Sequence, residues 1–440
     1  MKAIHNETER ICALLSKNEK LAQLFKNCYP NTVDTTVKRI SDKDTFVITG
    51  DIPAMWLRDS TAQVRHYLPV AKTDEETADM IEGLVNRQFK CIAIDPYANA
   101  FNEEDNDMCW GRYAPIFLKL PPDVPYEAEK DETDFESGWV WERKYEIDSL
   151  CYPVQLAWLL WKETGRTGHF NAQYKESTKK ILEVFETEQD HSRSPYFFRR
   201  ENCPPTDTLI NNGRGAEVAV TGMTWSGFRP SDDACDYGYL IPSNMFAVVT
   251  LGYTAEIMRT VYEDEALAVR AEKLAAEIRE GIEKYGVVEH PVFGRMYAYE
   301  TDGMGHYTFM DDANVPSLMS IPYLGYCSAE DETYRNTRAF VLSRENPFYY
   351  EGTAAKGVGS PHTPPEYIWH IALSMQGLTS IDPEESKALL SMLVGADADT
   401  GFMHEGFHKD DPAQFTRPWF AWSNSLFSEF VLKCLDDGIL

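Results

Sequence analysis

Apolar residues recur at helical spacing through most of the chain, in blocks separated by polar loops that are often ten residues or longer. The first block, ETERICALLSKNEKLAQLFKN at 7–27, predicts one amphipathic helix. Residues 31–49 predict a short helix or strand. DIPAMWLRDS at 51–60 then leads into another helical period, with Pro53 marking an irregular entry. Thr73 and Glu76 form a capping-box pattern ahead of a helix through Phe89. Further helices are expected over the second half of 135–163, over about 170–189, 240–259 and 263–284, and from Ser423 onward. Asp311-Asp312-Ala313-Asn314 predicts the opening of a helix containing Pro316, and another begins near Glu330. Thr363-Pro364 with Glu366, and Asp382-Pro383 with Glu385, mark two more starts. The run YGVVEHPVFGRMYAYETDGMGHY at 285–307 alternates and turns like a hairpin, and 95–134 reads as loop-rich.

Eleven to thirteen helices result, with neither a repeating β-α pattern nor a run of short strands. Paired helices with elaborate loops on alternate connections predict an all-α fold, an α/α toroid with one shell of helices inside another. The loops on its active-site face carry short strand hairpins. No composition shift suggests a linker, so one domain over 1–440 is expected.

Charge narrows the partners. The 440 residues carry a formal charge of -28 without a long basic block, which argues against nucleic acid and anionic membranes. No run of eighteen apolar residues occurs, so no membrane span is expected. The N-terminus lacks a signal-peptide pattern, and nine scattered cysteines without a C-x-x-C pair suit a reducing compartment, so a cytoplasmic location is expected. Ten Trp, 23 Tyr and 22 Phe exceed what a core requires and suit stacking on sugar rings.

The chemistry concentrates in four loop clusters. Met223–Tyr239, reading MTWSGFRPSDDACDYGY, combines Trp225, Phe228 and Arg229 with Asp232, Asp233 and Asp236. Read without function, it is a solvated Asp-rich turn capping the next helix. The others are Trp56-Leu57-Arg58-Asp59, Asp311-Asp312-Ala313-Asn314, and Phe402-Met403-His404-Glu405-Gly406-Phe407. On a toroid these loops converge, and convergent carboxylates with aromatic walls fit glycoside hydrolysis. One carboxyl stays protonated for the leaving oxygen, and a second is ionised to activate water or attack carbon.

His404-Glu405-Gly406-Phe407-His408 matches H-E-x-x-H formally, but Gly401, Gly406 and Pro412 argue for a loop where zinc binding needs a helix. Asp397-Ala398-Asp399 starts like a calcium loop, yet His408 stands where the bidentate Glu belongs. Neither a dinucleotide fingerprint, a phosphate loop nor a serine-hydrolase elbow occurs. Arg58 and Asp59 could be a structural ion pair, Cys235 a buried thiol, His362 a structural residue and Glu366 a cap.

DIPAMWLRDS, GMTWSGFRPSDDAC, DDANVPSL, GSPHTP and MHEGF followed by W-x-N resemble glycoside hydrolase family 125 over about 50–430. The resemblance implies a six-fold α/α toroid acting without metal or cofactor. It also implies removal of non-reducing terminal α-1,6-linked mannose, from an oligosaccharide or N-glycan fragment, with inversion. Carried over by motif, Asp232 is the general acid, with Asp233 as the neighbouring alternative, and Glu405 the general base. Trp56, Arg58, Asp59, Trp225, Arg229, Asp312 and Asn314 are expected to bind the sugar. The 95–134 and 285–307 loops are expected to wall the pocket. The rival readings are an inverting α-glucosidase on the same fold and a carbohydrate-binding protein that has lost its chemistry.

Overall fold

The computed structural model describes residues 1–121 and 126–440. Two kinds of helix organise it. Leu57–Arg65, Ile147–Thr164, Ile241–Thr260, His370–Leu378 and Ala421–Asp436 are buried on nearly every face, and Leu57 through Val64 are eight consecutive buried residues. A helix that leaves almost no face to solvent lies inside a structure, and the polar residues that Leu57–Arg65 buries are held by partners there. Glu75–Ile94, Ala172–Glu188, Glu265–Gly281 and Pro383–Gly395 follow or precede them in the chain and keep one exposed side.

The buried helices pack in succession. Leu57–Arg65 lies on Ile147–Thr164, which lies on Ile241–Thr260, which meets the one-turn Ile321–Leu324. His370–Leu378 lies on Ala421–Asp436, which returns to Leu57–Arg65. Seventeen helices occur among the described residues, with short antiparallel strands at their connections. None of these helices is long and apolar enough to cross a membrane.

Several element boundaries differ from the sequence reading for local reasons. The expected 7–27 helix is two, Lys2–Leu14 and Glu19–Cys28, because the Asn18 side chain accepts from Leu21 N at 3.2 Å and starts a new N-terminus. Asp74, not Thr73, caps Glu75–Ile94, accepting from Thr77 N at 2.9 Å.

Asp311 opens no helix. Its carboxylate accepts from Leu318 N at 2.7 Å and Met319 N at 3.0 Å, so it bridges an irregular turn that contains Pro316, and the chain first becomes helical at Ile321. Glu366 likewise caps nothing. It has φ +70 and pairs with Lys409 at 3.1 Å, and Tyr367–Trp369 forms a strand with Gly406–His408 before the helix begins at His370. The 285–307 hairpin forms as expected, Val287–His290 against Gly294–Tyr297.

Candidate active site

The site grows from the N-termini of the buried helices. Trp56 ends the strand Met55–Trp56, which pairs with Ala100–Phe101, itself paired with Val140–Glu142. That small sheet brings Trp56, Asn99 and Glu142 to one place, and the Leu57–Arg65 helix starts at once with Arg58 and Asp59 in its first turn. Trp369 and Phe420 are the residues before two other buried helices, and Trp422 lies in the first turn of the last. Carboxylates in such first turns, Asp59 and Asp148 here, gain from the helix dipole.

Arg58 is the hub of a buried carboxylate cluster. Its Nη1 lies 2.6 Å from Glu146 Oε2 and 3.2 Å from Asp148 Oδ2, its Nη2 3.4 Å from Asp232 Oδ1, and its Nε 3.4 Å from Asp59 Oδ2. Burial pushes the Asp59 carboxyl up to about 6 and Asp148 up to about 6, each against the attraction of Arg58. Glu146 is raised well above the usual range by burial, with Asp232 and Asp148 adding to the effect and Arg58 opposing it. Burial would raise Asp232 too, but Arg58 and Lys144 outweigh it and hold that group well below the usual carboxylate range.

Asp232 is the member of this cluster that reaches solvent, with 26% of its side chain exposed. Its backbone explains the orientation. Asp232 N donates to Arg229 O at 2.9 Å, Arg229 N donates to Asp233 O at 2.7 Å, and φ at Asp232 is +68. Few residues tolerate this left-handed region, but Asp and Asn are among them. The turn sends Asp232 toward Trp56 Nε1 and Asn99 Nδ2, each 3.3 Å from Oδ1. Asp233 goes to His362, Nδ1 to Oδ1 3.1 Å.

Glu405 is fixed from both sides. Its carbonyl accepts from His370 N at 3.3 Å. Met403 N donates to Asn424 Oδ1 at 2.9 Å, and Ser423 Oγ donates to His404 O at 2.7 Å. Its Oε1 lies 3.6 Å from Arg417 Nη1, and that guanidinium also grips Asp51 at 2.5 Å.

Trp56, Arg58, Asp59, Asp232, Asn314 and Glu405 line a single cavity. The walls are completed by Trp369, Phe420, Trp422, His362 and Arg417. This arrangement offers three carboxylates of different environment, Asp59, Asp232 and Glu405, with apolar ring surface and directional donors in one recess, which suits the hydrolysis of a sugar acetal.

The family model described as metal-independent alpha-mannosidase (GH125) matches residues 18–432. The chain belongs to this family. The meiotically up-regulated gene 157 protein of Schizosaccharomyces pombe is 38% identical over 435 residues, covering 96% of this chain and 83% of the relative. A Streptococcus pneumoniae metal-independent α-mannosidase, solved in a non-productive substrate complex with α-1,6-mannobiose, is 49% identical with a TM-score of 0.93, covering 99% of this chain and 98% of that one. The glucoamylase of Saccharomycopsis fibuligera shares the fold at 12% identity and a TM-score of 0.55, covering 99% of this chain and 96% of its own.

In this α-mannosidase the structure does not bring three of the sequence-selected residues to the cavity wall. Trp225 is 1% exposed and stacks on His191 at 3.6 Å between ring centroids, packed into the core behind the loop. Arg229 is held by Glu300, Nε to Oε1 2.6 Å, and by Asp236 at 3.0 Å. Asp312 is buried and receives Asn314 N at 3.1 Å, which sets the direction of Asn314. Neither the 95–134 nor the 285–307 segment lines the cavity among the described residues, and 122–125 of the expected wall lie outside them.

His404 and His408 do not share a helical face. His404 stacks on Phe415 at 3.9 Å, and His408 ends a strand. Sequence reasoning passed over Arg417, Trp369 and Phe420. Their common signal is position: Trp369 and Phe420 sit just ahead of an apolar helix, and Arg417 lies three residues further back from Phe420.

Proposed function

We propose that this α-mannosidase is an exo-acting, inverting α-1,6-mannosidase, with Asp232 as general acid and Glu405 as general base. The observation that carries the reading is the presence of these two carboxylates on one cavity among indole walls, in a chain of this family. The α-1,6 linkage is supported by the disaccharide bound to the 49% identical relative. In this reading Trp56, Asp59 and Asn314 contact the terminal mannose and Arg58 orders the acid. Trp225, Arg229 and Asp312 act from behind, holding the Asp232 turn and Asn314 in place. Asp233 is engaged by His362, which favours Asp232 as the group that faces the leaving oxygen.

Inversion requires roughly 6.5–9.5 Å between the carboxyls, leaving room for a water that Glu405 deprotonates while Asp232 protonates the departing oxygen. The succession of buried helices, each followed or preceded by an amphipathic one, supports an (α/α)6 toroid forming one domain over 1–440. Nine free cysteines support residence in a reducing compartment such as the cytoplasm.

Proton NMR of α-1,6-mannobiose hydrolysis tests the assignment in wild type, Asp232→Asn and Glu405→Gln, with EDTA present. Asn accepts the left-handed backbone at 232, so that variant changes the acid and spares the turn. β-Mannose as first product, with losses of about 10²–10⁴-fold in each variant, is expected. α-Mannose as first product would sink inversion, and an inert wild type would sink the linkage.

A further inference from the structure

A general acid must hold a proton, yet the surroundings of Asp232 favour its ionised form. The charge count nearby shows where a proton can reside. Arg58 is the cation in ion-pair contact with the Asp59, Glu146, Asp148 and Asp232 side chains. The Lys144 ammonium pairs with Asp207 and Glu142, donates to the Asp232 backbone oxygen at 2.8 Å and acts on the Asp232 carboxylate through space. Four carboxylates share this one paired guanidinium and three of them, Asp59, Glu146 and Asp148, are nearly or wholly out of water, which favours a proton held within the cluster.

Glu146 is the member built to keep it. Its side chain has no solvent exposure, which is true of Asp148 as well, but of these two it is Glu146 that shares the Asn99 donor with Asp232. Its Oε2 accepts from Arg58 at 2.6 Å and from Ser149 Oγ at 2.8 Å, and its Oε1 has only the long contact to Asn99 Nδ2 at 3.4 Å. The same Asn99 amide lies 3.3 Å from Asp232 Oδ1, so the two carboxyls stand beside one donor.

We propose that Glu146 stores the proton that Asp232 delivers to the leaving oxygen. The inference rests on the assignment of Asp232 as general acid. Glu146 acts through Asp232 and is a positioning residue, not a catalytic one. With sugar in the cavity, the proton passes from the Glu146 carboxyl to Asp232, its neighbour at the Asn99 amide. Asp232 then gives it to the glycosidic oxygen, which takes the electron pair of the breaking C–O bond, while Glu405 accepts a proton from the attacking water. After product leaves, Glu405 releases its proton to solvent and the pair takes one up through the exposed edge of Asp232. The raised position of Glu146 and the depressed position of Asp232 fit this division. The charged or titratable groups facing the pair are Arg58 and Asp59 from one buried helix, Asp148 from Glu146's own, Lys144 and Glu142 from the strand side, and His362 beyond Asp232.

The test is the pH profile of kcat/KM for wild type, Glu146→Gln and Asp232→Asn, on α-1,6-mannobiose and on 2,4-dinitrophenyl α-mannoside, whose leaving group needs no protonation. For Glu146→Gln the expected loss on mannobiose is about 10²-fold, within the range of acid catalysis, and at least tenfold greater than on the activated substrate. Its alkaline limb moves to lower pH by about one unit or more, because Asp232 then titrates alone beside Arg58 and Lys144. Equal losses on both substrates with an unmoved limb, or no loss at all, would overturn the proposal. If Asp232→Asn itself fails to discriminate the two substrates, the acid assignment falls first, a result distinct from failure of Glu146→Gln alone. Should Glu146→Gln not fold, infrared spectra of the wild type with carboxyl-labelled glutamate decide: a protonated glutamic acid at neutral pH supports the proposal, and its absence overturns it.

Discussion

His362 and Asp233 show how one ion pair carries both geometry and a pH signature. Burial opposes charge on the imidazole, but the hydrogen bond to Asp233 and the fields of Asp233, Glu405 and Asp232 outweigh it and raise the ring to about 9. A histidine raised on folding contributes stability that is fully present below its unfolded value near 6.5 and is lost as pH rises through about 9. With 38% of the His362 side chain exposed, the gain is discounted toward that of a surface pair. The expected outcome is a gap in urea midpoint between wild type and His362→Gln that is largest near pH 6 and closes by pH 10. A gap constant across that range would refute the pair's contribution. The adjacency of Asp232 and Asp233 in sequence conceals all of this, because the left-handed turn at Asp232 sends the neighbours to different partners. Trp225 illustrates the converse limit: an indole beside carboxylates reads as a sugar platform, but sequence does not say which side of the loop it faces.

Helical periods were legible wherever one face is polar, and the buried Ile147–Thr164 and Ile241–Thr260 were legible as largely apolar stretches. LRDSTAQVR at 57–65, by contrast, gives no sign that it is buried on nearly every side. Helix starts were less so, since Asn18 and Asp74 cap through contacts that Thr73 and Glu76 mimic on paper. Asp311 and Glu366 look like caps and instead serve a turn and an ion pair. How closely two helices approach was not legible at all, and Gly377 makes the point. A Cβ there would overlap the Phe430 ring on the last helix, so the missing side chain is what lets His370–Leu378 lie on Ala421–Asp436. Gly377→Ala should destabilise by about 1–3 kcal/mol through overpacking, more than the roughly 1 kcal/mol that alanine gains in a helix. Thermal melting checks this, and a variant as stable as wild type would show the contact to be loose.

At the scale of the molecule, the last helix ties the two ends of the chain. It packs on Leu57–Arg65, Glu19–Cys28 and His370–Leu378, and buries Leu426, Phe427, Phe430 and Val431. Those four side chains contribute about 6–12 kcal/mol by area, comparable with the whole net stability of a domain. A chain ending at residue 420 is therefore expected to lack any cooperative unfolding transition, while full-length protein shows a single one. A truncated protein with a sharp melt would argue for separable parts. The helix-rich fold was reachable from helix count and loop length. The convergence of residues from Trp56 to Trp422 on one cavity needed the contacts between helices.

One seam sets a timetable for making the protein. Asp51 N bonds Trp419 O at 3.2 Å, Ala421 N bonds Thr49 O at 3.1 Å, and Arg417 clasps Asp51, so a wall of the cavity joins segments some 370 residues apart. At about 5–20 residues per second of synthesis, the first segment waits roughly 20–70 s for its partner. Throughout that interval Thr49–Asp51 and the buried faces behind them lack the neighbour that completes them. A ribosome-bound chain can thus display the Asp232 turn long before the cavity it faces can close, and chaperone occupancy should concentrate on the N-terminal third until the final helix emerges.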